Sequence, residues 1–374
     1  MHVLAAAGLV LVLLALRDAF LTILHPDRDG GLSRWLNRAI WHACIRLARL
    51  RPTRRHAVLG MAGPTMVLGD ILLWMLLPIA GYALAYWPFL ATEFRAADGI
   101  VGGLGDALYL SGTTFTTLGY GDVTPVRGFW KAVAISEAVS GFLIMGVSVA
   151  YILAVFEGVD RRDALALQVY SETSRTWEGA PFIDRTLREE GVDGLRLRLQ
   201  GWAALVRDLH GRLYRFHGLA FYVRTHSLDL APERMVYAAA DVALRAKSLA
   251  ALPGFHGLRG TAEQLAAALE QFGSAIVRRE GSREAVAAFE AAQPEDVDAW
   301  RVRETCAWAT GIAGAGPDEP EPATDVNVLE FTARMRVFLQ TLDGLTLWRS
   351  LPNPKAPSAW DAPRPPAAKD AGGR

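Results

Sequence analysis

The chain has 374 residues, 51% of them hydrophobic and 21% charged, with 39 Lys and Arg against 39 Asp and Glu, so its formal net charge is zero. Length allows two domains, and the charge balance leaves no basic excess of the kind that nucleic-acid partners require. Its two cysteines, Cys44 and Cys306, are too few and too far apart for a disulfide framework and are read as free thiols.

The first apolar run, Val3 to Leu24, has neither a basic start nor a small-residue cleavage site. Residues 1–25 are therefore a first transmembrane helix and not a removable signal. Arg17 and Asp18 fall near its inner end, where they anchor at the interface or pair with neighbouring helices. Residues 26–60 carry eight arginines, whereas Pro88 to Gly105 holds only Arg95. The positive-inside rule then puts this loop in the cytoplasm and the N-terminus outside. Trp35, Leu36, Ile40, Trp41, Ile45, Leu47 and Leu50 interleave with Arg34, Arg38, Arg46 and Arg49, the pattern of an interfacial amphipathic helix whose arginines meet anionic lipid headgroups. A voltage sensor would need regularly spaced arginines inside an apolar span, and Pro52 interrupts this run. The second span, about Met61 to Trp87, ends in Tyr82, Tyr86, Trp87 and Phe89, aromatics that suit the outer interface. Asp70 inside it is expected to pair with a cation of the arginine-rich loop or with Arg17.

Gly105 to Phe115 reads as a short helix with Asp106 placed to cap its N-terminus. It runs into Thr116-Thr117-Leu118-Gly119-Tyr120-Gly121-Asp122. Gly119 and Gly121 flank one residue and permit alternating backbone conformations, including positive φ, so that successive carbonyls can face one axis. Rings of oxygens from Thr117, Leu118, Gly119 and Tyr120, with the Thr117 hydroxyl below, would replace the hydration shell of a potassium ion. One chain supplies a quarter of each ring, so the reading requires a homotetramer. Beyond Pro125, Ala132 to Phe156 is a 25-residue run broken only by Glu137, long enough to cross a hydrocarbon core of about 30 Å.

From Met61 to Phe156 this order of outer span, short helix, Thr-x-Gly-Tyr-Gly run and inner span resembles the prokaryotic two-transmembrane potassium channels. The resemblance implies a gating hinge at Gly141, a cavity lined by Phe142, Met145 and Val149, and an inner gate near Leu153. Helical spacing puts those four on one face, read as lining the pore in preference to an apolar stripe facing lipid. Thr113, Thr116, Asp122 and Glu137 are candidate supports for the filter. Leu118 stands where the family usually has Val or Ile, and Thr113 where some members keep a carboxylate, leaving Asp122 without that partner. Glu137, in the run Glu137-Ala138-Val139-Ser140-Gly141, is expected to buttress the pore by accepting hydrogen bonds from Thr113 or Thr116, or to add negative potential for cations.

Residues 158–351 read as a helical cytoplasmic domain, with helix-like apolar spacing over Leu195 to Thr225, Pro232 to Leu252, Thr261 to Arg279, Ser282 to Ala292, Val297 to Thr310 and Val326 to Trp348. Gly191 to Gly194, Pro253-Gly254 and Gly311 to Pro322 separate them. Residues 352–374, with six prolines, read as a disordered tail. There is no strand followed by Gly-x-Gly-x-x-Gly, which removes the dinucleotide-fold regulatory domain. His210, Tyr214 and His217 lack the further ligands of a zinc site. No nucleophile, phosphate loop or carboxylate pair marks an enzyme.

The sequence thus describes an all-α membrane protein: residues 61–157 form a potassium-channel pore module, preceded by an extra transmembrane helix and followed by a helical cytoplasmic domain. Expected function is passive K+ conduction across the plasma membrane by a homotetramer, with no organic cofactor and an unidentified cytoplasmic ligand as a further partner. Two other readings stand beside it, a membrane sensor with a channel-like pore and a potassium-transporter subunit; one intact filter per chain weighs against both.

Overall fold

The computed structural model describes residues 1–24, 30–51, 54–96, 102–216, 222–223, 230, 232–292, 299–314 and 326–346. Pro52, His217, most of the Gly311 to Pro322 loop and the 352–374 tail lie outside the described residues. The chain divides into two compact units, Met1–Glu157 and Gly158–Arg374.

In the first unit the helices are α1 (His2–Leu24), α2 (Gly31–Leu50), α3 (Arg55–Gly60), α4 (Ala62–Tyr86), α5 (Leu90–Glu93), α6 (Leu104–Phe115) and α7 (Gly128–Glu172). Among the described residues three helical stretches, His2–Ile23, Ala57–Glu93 and Gly128–Glu172, are long and apolar enough to cross a membrane. The protein is a membrane protein, almost wholly helical. The helix that holds the Ala132 to Phe156 run continues through Gly158 to Glu172, with no proline to end it.

Close approach fixes the packing of α1 on α4. A Cβ on Gly8 would meet the Gly81 carbonyl at 2.3 Å, and one on Gly81 would meet the Gly8 carbonyl at 2.7 Å. Paired glycines let two backbones touch where hydrophobic burial alone cannot drive association. The first span is therefore packed closely against the second. On α2, Ser33, Trp41 and Ala48 are buried while Trp35, Leu47 and Leu50 are exposed, the two faces that the sequence alternation demands.

Two three-residue strands, β1 (Phe94–Ala96) and β2 (Val123–Pro125), pair antiparallel with Phe94 opposite Pro125, Arg95 opposite Thr124 and Ala96 opposite Val123. The ladder continues as Val126 N–H to the Glu93 carbonyl at 2.9 Å and Arg127 to Glu93 at 2.9 Å. It ties the chain just after the Thr116–Asp122 segment to the end of the second span. Beside it, Trp130 packs on Tyr86, Phe89 and Phe94 at centroid separations of 5.8, 5.1 and 5.8 Å. Of the four aromatics expected at an interface, Tyr82 and Tyr86 belong to this core at 4% and 0% exposure, Phe89 is partly buried against it, and Trp87, 38% exposed, reaches the surface.

The second unit takes the end of α7 and adds α8 (Gly179–Phe216), α9 (Pro232–Ala250), α10 (Arg259–Glu280), α11 (Arg283–Glu290), α12 (Ala299–Ala313) and α13 (Val326–Thr346). Gly191, at φ 70 and ψ −169, breaks the regular geometry of α8 where the sequence places a breaker. Trp202, Phe182, Phe272, Leu244, Met335 and Phe338 lie in one apolar core. Within it Arg245 is wholly buried, paired with Asp241 at 3.1 Å and Glu304 at 2.8 Å and lying 5.0 Å over the Trp308 ring. Burial of a guanidinium at this depth requires such partners.

Candidate functional site

The site is assembled where α6 ends and the Thr116–Asp122 segment begins. Asp106 accepts the Gly102 and Gly103 N–H groups at 3.1 and 3.0 Å, closing the first turn of α6. At the other end the Thr113 carbonyl accepts two N–H groups, from Leu118 at 2.8 Å and Gly119 at 3.0 Å, while Thr117 N–H reaches the Thr114 carbonyl at 3.0 Å. The segment that follows the helix is thereby folded back onto its last turn.

Thr117, Gly119 and Gly121 take φ values of 59, 55 and 77. Positive φ recurs at every second residue. Glycine adopts it freely, but a β-branched residue does so only at a cost of about 1–3 kcal/mol unless its surroundings hold it. Here the hydrogen bonds to Thr113 and Thr114 on either side hold Thr117. Thr116 to Gly121 are exposed in the single chain, Leu118 at 56% and Tyr120 at 68%.

Glu137 of α7 is fully buried and bridges three helices. Its Oε2 accepts the Tyr86 hydroxyl at 2.6 Å and its Oε1 contacts Ser111 Oγ, which also lies 2.8 Å from the Ile79 carbonyl. The expected partners were Thr113 and Thr116. Both hydroxyls instead bond back along their own helix, Thr113 to the Leu110 carbonyl at 3.0 Å and Thr116 to that of Gly112 at 2.7 Å, the usual fate of a helical threonine whose side chain can reach the preceding turn. Asp122 has a partner that the sequence did not disclose: it accepts the Tyr109 hydroxyl at 2.7 Å.

Gly141 lies one turn beyond Glu137 on the same face. A Cβ there would fall 1.8 Å from the Phe115 carbonyl oxygen and 2.7 Å from its carbon. Its absence lets α7 cross directly over the end of α6. Ile144, Ser148, Tyr151 and Val155 continue this buried face, whereas Phe142, Met145, Val149 and Leu153 are 70%, 47%, 59% and 65% exposed. The four expected cavity residues thus share the side of α7 that the single chain leaves uncovered.

Two further carboxylates organise the opposite end of the unit. Asp18 accepts the Leu32 and Ser33 N–H groups at 2.8 and 3.1 Å, the Ser33 hydroxyl at 2.5 Å and Trp74 Nε1 at 3.2 Å. It caps α2 from a neighbouring helix, the second of the two roles expected of it and not the interfacial anchor. Asp70 accepts Asn37 Nδ2 at 3.1 Å and the Tyr151 hydroxyl at 2.9 Å. No cation pairs with it among the described residues, so the expected partners, Arg17 or a loop arginine, are replaced by an amide and a phenol. Cys44 and Cys306 form no disulfide with each other. Among the described residues no group of three His, Cys, Asp or Glu is placed to hold a metal ion.

Sequence reasoning missed Ser111, Tyr86, Tyr109 and Tyr151. Each is a hydroxyl serving a carboxylate more than ten residues away in the chain, a relation without local periodicity. For Ser111, Tyr86 and Tyr151 the one available signal was the carboxylate within an apolar span, which demands donors from whatever helix packs against it; Tyr109 had none.

Residues 65–158 match the family model described as ion channel. The uncharacterized membrane protein YdjJ of Bacillus subtilis (strain 168) is 30% identical over 189 residues, 48% of this chain and 53% of that protein. Protein LctB of Bacillus caldotenax is 39% identical over 85 residues, 23% of this chain and 60% of the relative; Protein LctB of Geobacillus stearothermophilus is 40% identical over 98 residues, 26% and 67% respectively. The chain spans between about half and two thirds of the length of these relatives. No solved structure matches it.

Proposed function

The chain belongs, through residues 65–158, to the pore-loop ion-channel family, and we propose that it conducts potassium selectively and passively as a homotetramer whose filter is the backbone of Thr117 to Gly121. The carrying observation is the alternation of positive φ at Thr117, Gly119 and Gly121 on a segment pinned to the end of α6 through the Thr113 carbonyl. Such alternation turns successive peptide units so that their oxygens can serve one axis, and four chains would close the rings that replace a dehydrated ion's water. The exposure of Leu118 and Tyr120 and of the Phe142, Met145, Val149 and Leu153 face is what a tetramer axis on that side of α7 requires.

In this reading Tyr109 takes over the support of Asp122, and Gly141 sets the distance between inner helix and filter besides any bending. The N-terminus lies outside, residues 158–374 are cytoplasmic, and the membrane is the plasma membrane. The arginines and exposed Trp35 of α2 rest on anionic lipid. The second unit serves assembly or responds to a cytoplasmic ligand, and no chemical step is assigned to it.

The test is a reversal potential in liposomes holding the purified protein, with potassium on one side and sodium on the other. Reversal near the potassium equilibrium value, lost in Gly119→Ala because a Cβ strains φ 55, supports the reading. Equal flow of both ions in the wild type would refute selectivity.

A further inference from the structure

Ser111 Oγ carries one hydrogen and faces two oxygens, the Ile79 carbonyl at 2.8 Å and Oε1 of Glu137. Oxygens at such separations repel unless a hydrogen lies between them, so two contacts need two hydrogens. The carbonyl has none to give. If the serine hydrogen goes to Ile79, the other must come from the carboxyl group. Tyr86 cannot supply it, since its single hydroxyl hydrogen is directed to the opposite carboxyl oxygen, Oε2, at 2.6 Å.

The surroundings agree with this count. Glu137, Ser111 and Tyr86 are each at 0% exposure, and among the described residues no Lys, Arg or His forms an ion pair with Glu137. A buried carboxylate without a cation is among the most costly arrangements a protein can hold, whereas a neutral acid that donates one hydrogen bond and accepts another is not.

We infer that Glu137 is held as a neutral carboxylic acid that donates its own hydrogen to Ser111 Oγ, forming the chain Glu137 to Ser111 to the Ile79 carbonyl, with Tyr86 donating to the other carboxyl oxygen. Glu137 is then a positioning residue, a two-way hydrogen-bond clamp between α7, α6 and α4, and contributes no negative charge to the ion path. The inference deepens the proposed function and rests on it for the consequence to permeation, though not for the position of the hydrogen.

Two readouts separate these. Infrared spectra of the full-length protein in lipid, taken as wild type minus Glu137→Gln, should show the C=O stretch of a protonated acid that disappears in the variant. A carboxylate antisymmetric stretch in that difference would overturn the assignment whatever the channel does. In the liposome assay Glu137→Ala should lower potassium flux per protein about tenfold, the scale of a lost buried hydrogen-bond network. Glu137→Gln should restore it, because an amide both donates to Ser111 and accepts from Tyr86. Ser111→Ala removes the same clamp from the other side and serves if Glu137→Ala does not fold. Rescue failing with Gln, or Glu137→Ala and Ser111→Ala both matching wild type, would sink the clamp. A wild type that shows no selective flux would refute the proposed function and leave the infrared result to decide the hydrogen.

Discussion

Gly141→Ala separates two roles that one glycine can play. The added Cβ would lie 1.8 Å from the Phe115 carbonyl oxygen, 2.7 Å from the carbonyl carbon and 3.2 Å from Cα, all backbone atoms that cannot swing aside. To regain an ordinary contact, α7 and the end of α6 must part by roughly 1.6 Å, and overpacking of this kind costs about 1–3 kcal/mol per chain. Phe115 is followed directly by Thr116 and the proposed filter segment, so the displacement reaches that segment. Gly146 is on the same helix with nothing within 4 Å of its would-be Cβ, and Ala there should stabilise by about 0.5–1 kcal/mol through helix propensity alone. Thermal unfolding of both variants in detergent, with reversal potentials in liposomes, gives opposite signs: Gly141→Ala melts earlier and loses discrimination between potassium and sodium, Gly146→Ala melts at or above wild type and keeps it. A glycine needed only as a flexible point would be stabilised by alanine. If Gly141→Ala raises the melting temperature alongside Gly146→Ala, the contact argument is wrong and the hinge is right.

Asp18→Ala should destabilise the first unit by about 2–3 kcal/mol, because it strips the cap of α2 and leaves the buried Trp74 Nε1 with only the Ser33 hydroxyl at 3.2 Å; protease cutting between α1 and α2 in lipid measures it, and cleavage no faster than wild type would refute the capping role. In the second unit, burial holds the His210 imidazole below its usual value of 6.5. The unfolded chain therefore takes up the proton first, and this residue's contribution to stability is complete above pH 6.5 and is lost as pH falls toward the folded value. Unfolding scans of the full chain between about pH 7.5 and about pH 5 should show a smaller acid loss for His210→Gln than for wild type, and equal losses would rule the residue out.

Most of the helices could be read because their signals are local. An apolar run of span length, the alternation of arginine with tryptophan and leucine over Gly31–Leu50, and a glycine or proline at many of the breaks are properties of consecutive residues. The Thr117–Gly121 geometry was legible for the same reason, since positive φ at Gly119 and Gly121 follows from the residue type. What failed was partner choice. Tyr86 at the end of a span looks the same whether it faces headgroups or a neighbouring carboxyl group, and only the three-dimensional crossing of α4, α6 and α7 decides. Thr113 and Thr116 seemed the natural donors to Glu137 because they flank the motif, but helical hydroxyls satisfy themselves on the preceding turn. The ladder of β1 and β2 had no signature, being three residues long with Arg95 and Thr124 on its exposed positions.

The two contacts between α6 and α7 are matched in spacing, and this explains why an otherwise lipid-like inner helix keeps a carboxyl group. Ser111 and Phe115 are one helical turn apart, as are Glu137 and Gly141, and Ser111 meets Glu137 while Phe115 meets Gly141. Ascending residues on one helix meet ascending residues on the other, so the seam has a direction as well as a position. Apolar packing between such helices tolerates sliding by a turn, since the leucines and valines of one turn resemble those of the next. A directional hydrogen bond beside a point of backbone contact does not tolerate it. Shifting α7 by one turn would put Gly141 opposite Ser111, leaving the hydroxyl without its carboxyl group, and would drive the side chain of residue 145 against the Phe115 carbonyl. Glu137 and Gly141 thus specify one register out of several of similar burial, and the end of α6, from which Thr116 to Asp122 hang, is placed by that register rather than by hydrophobicity.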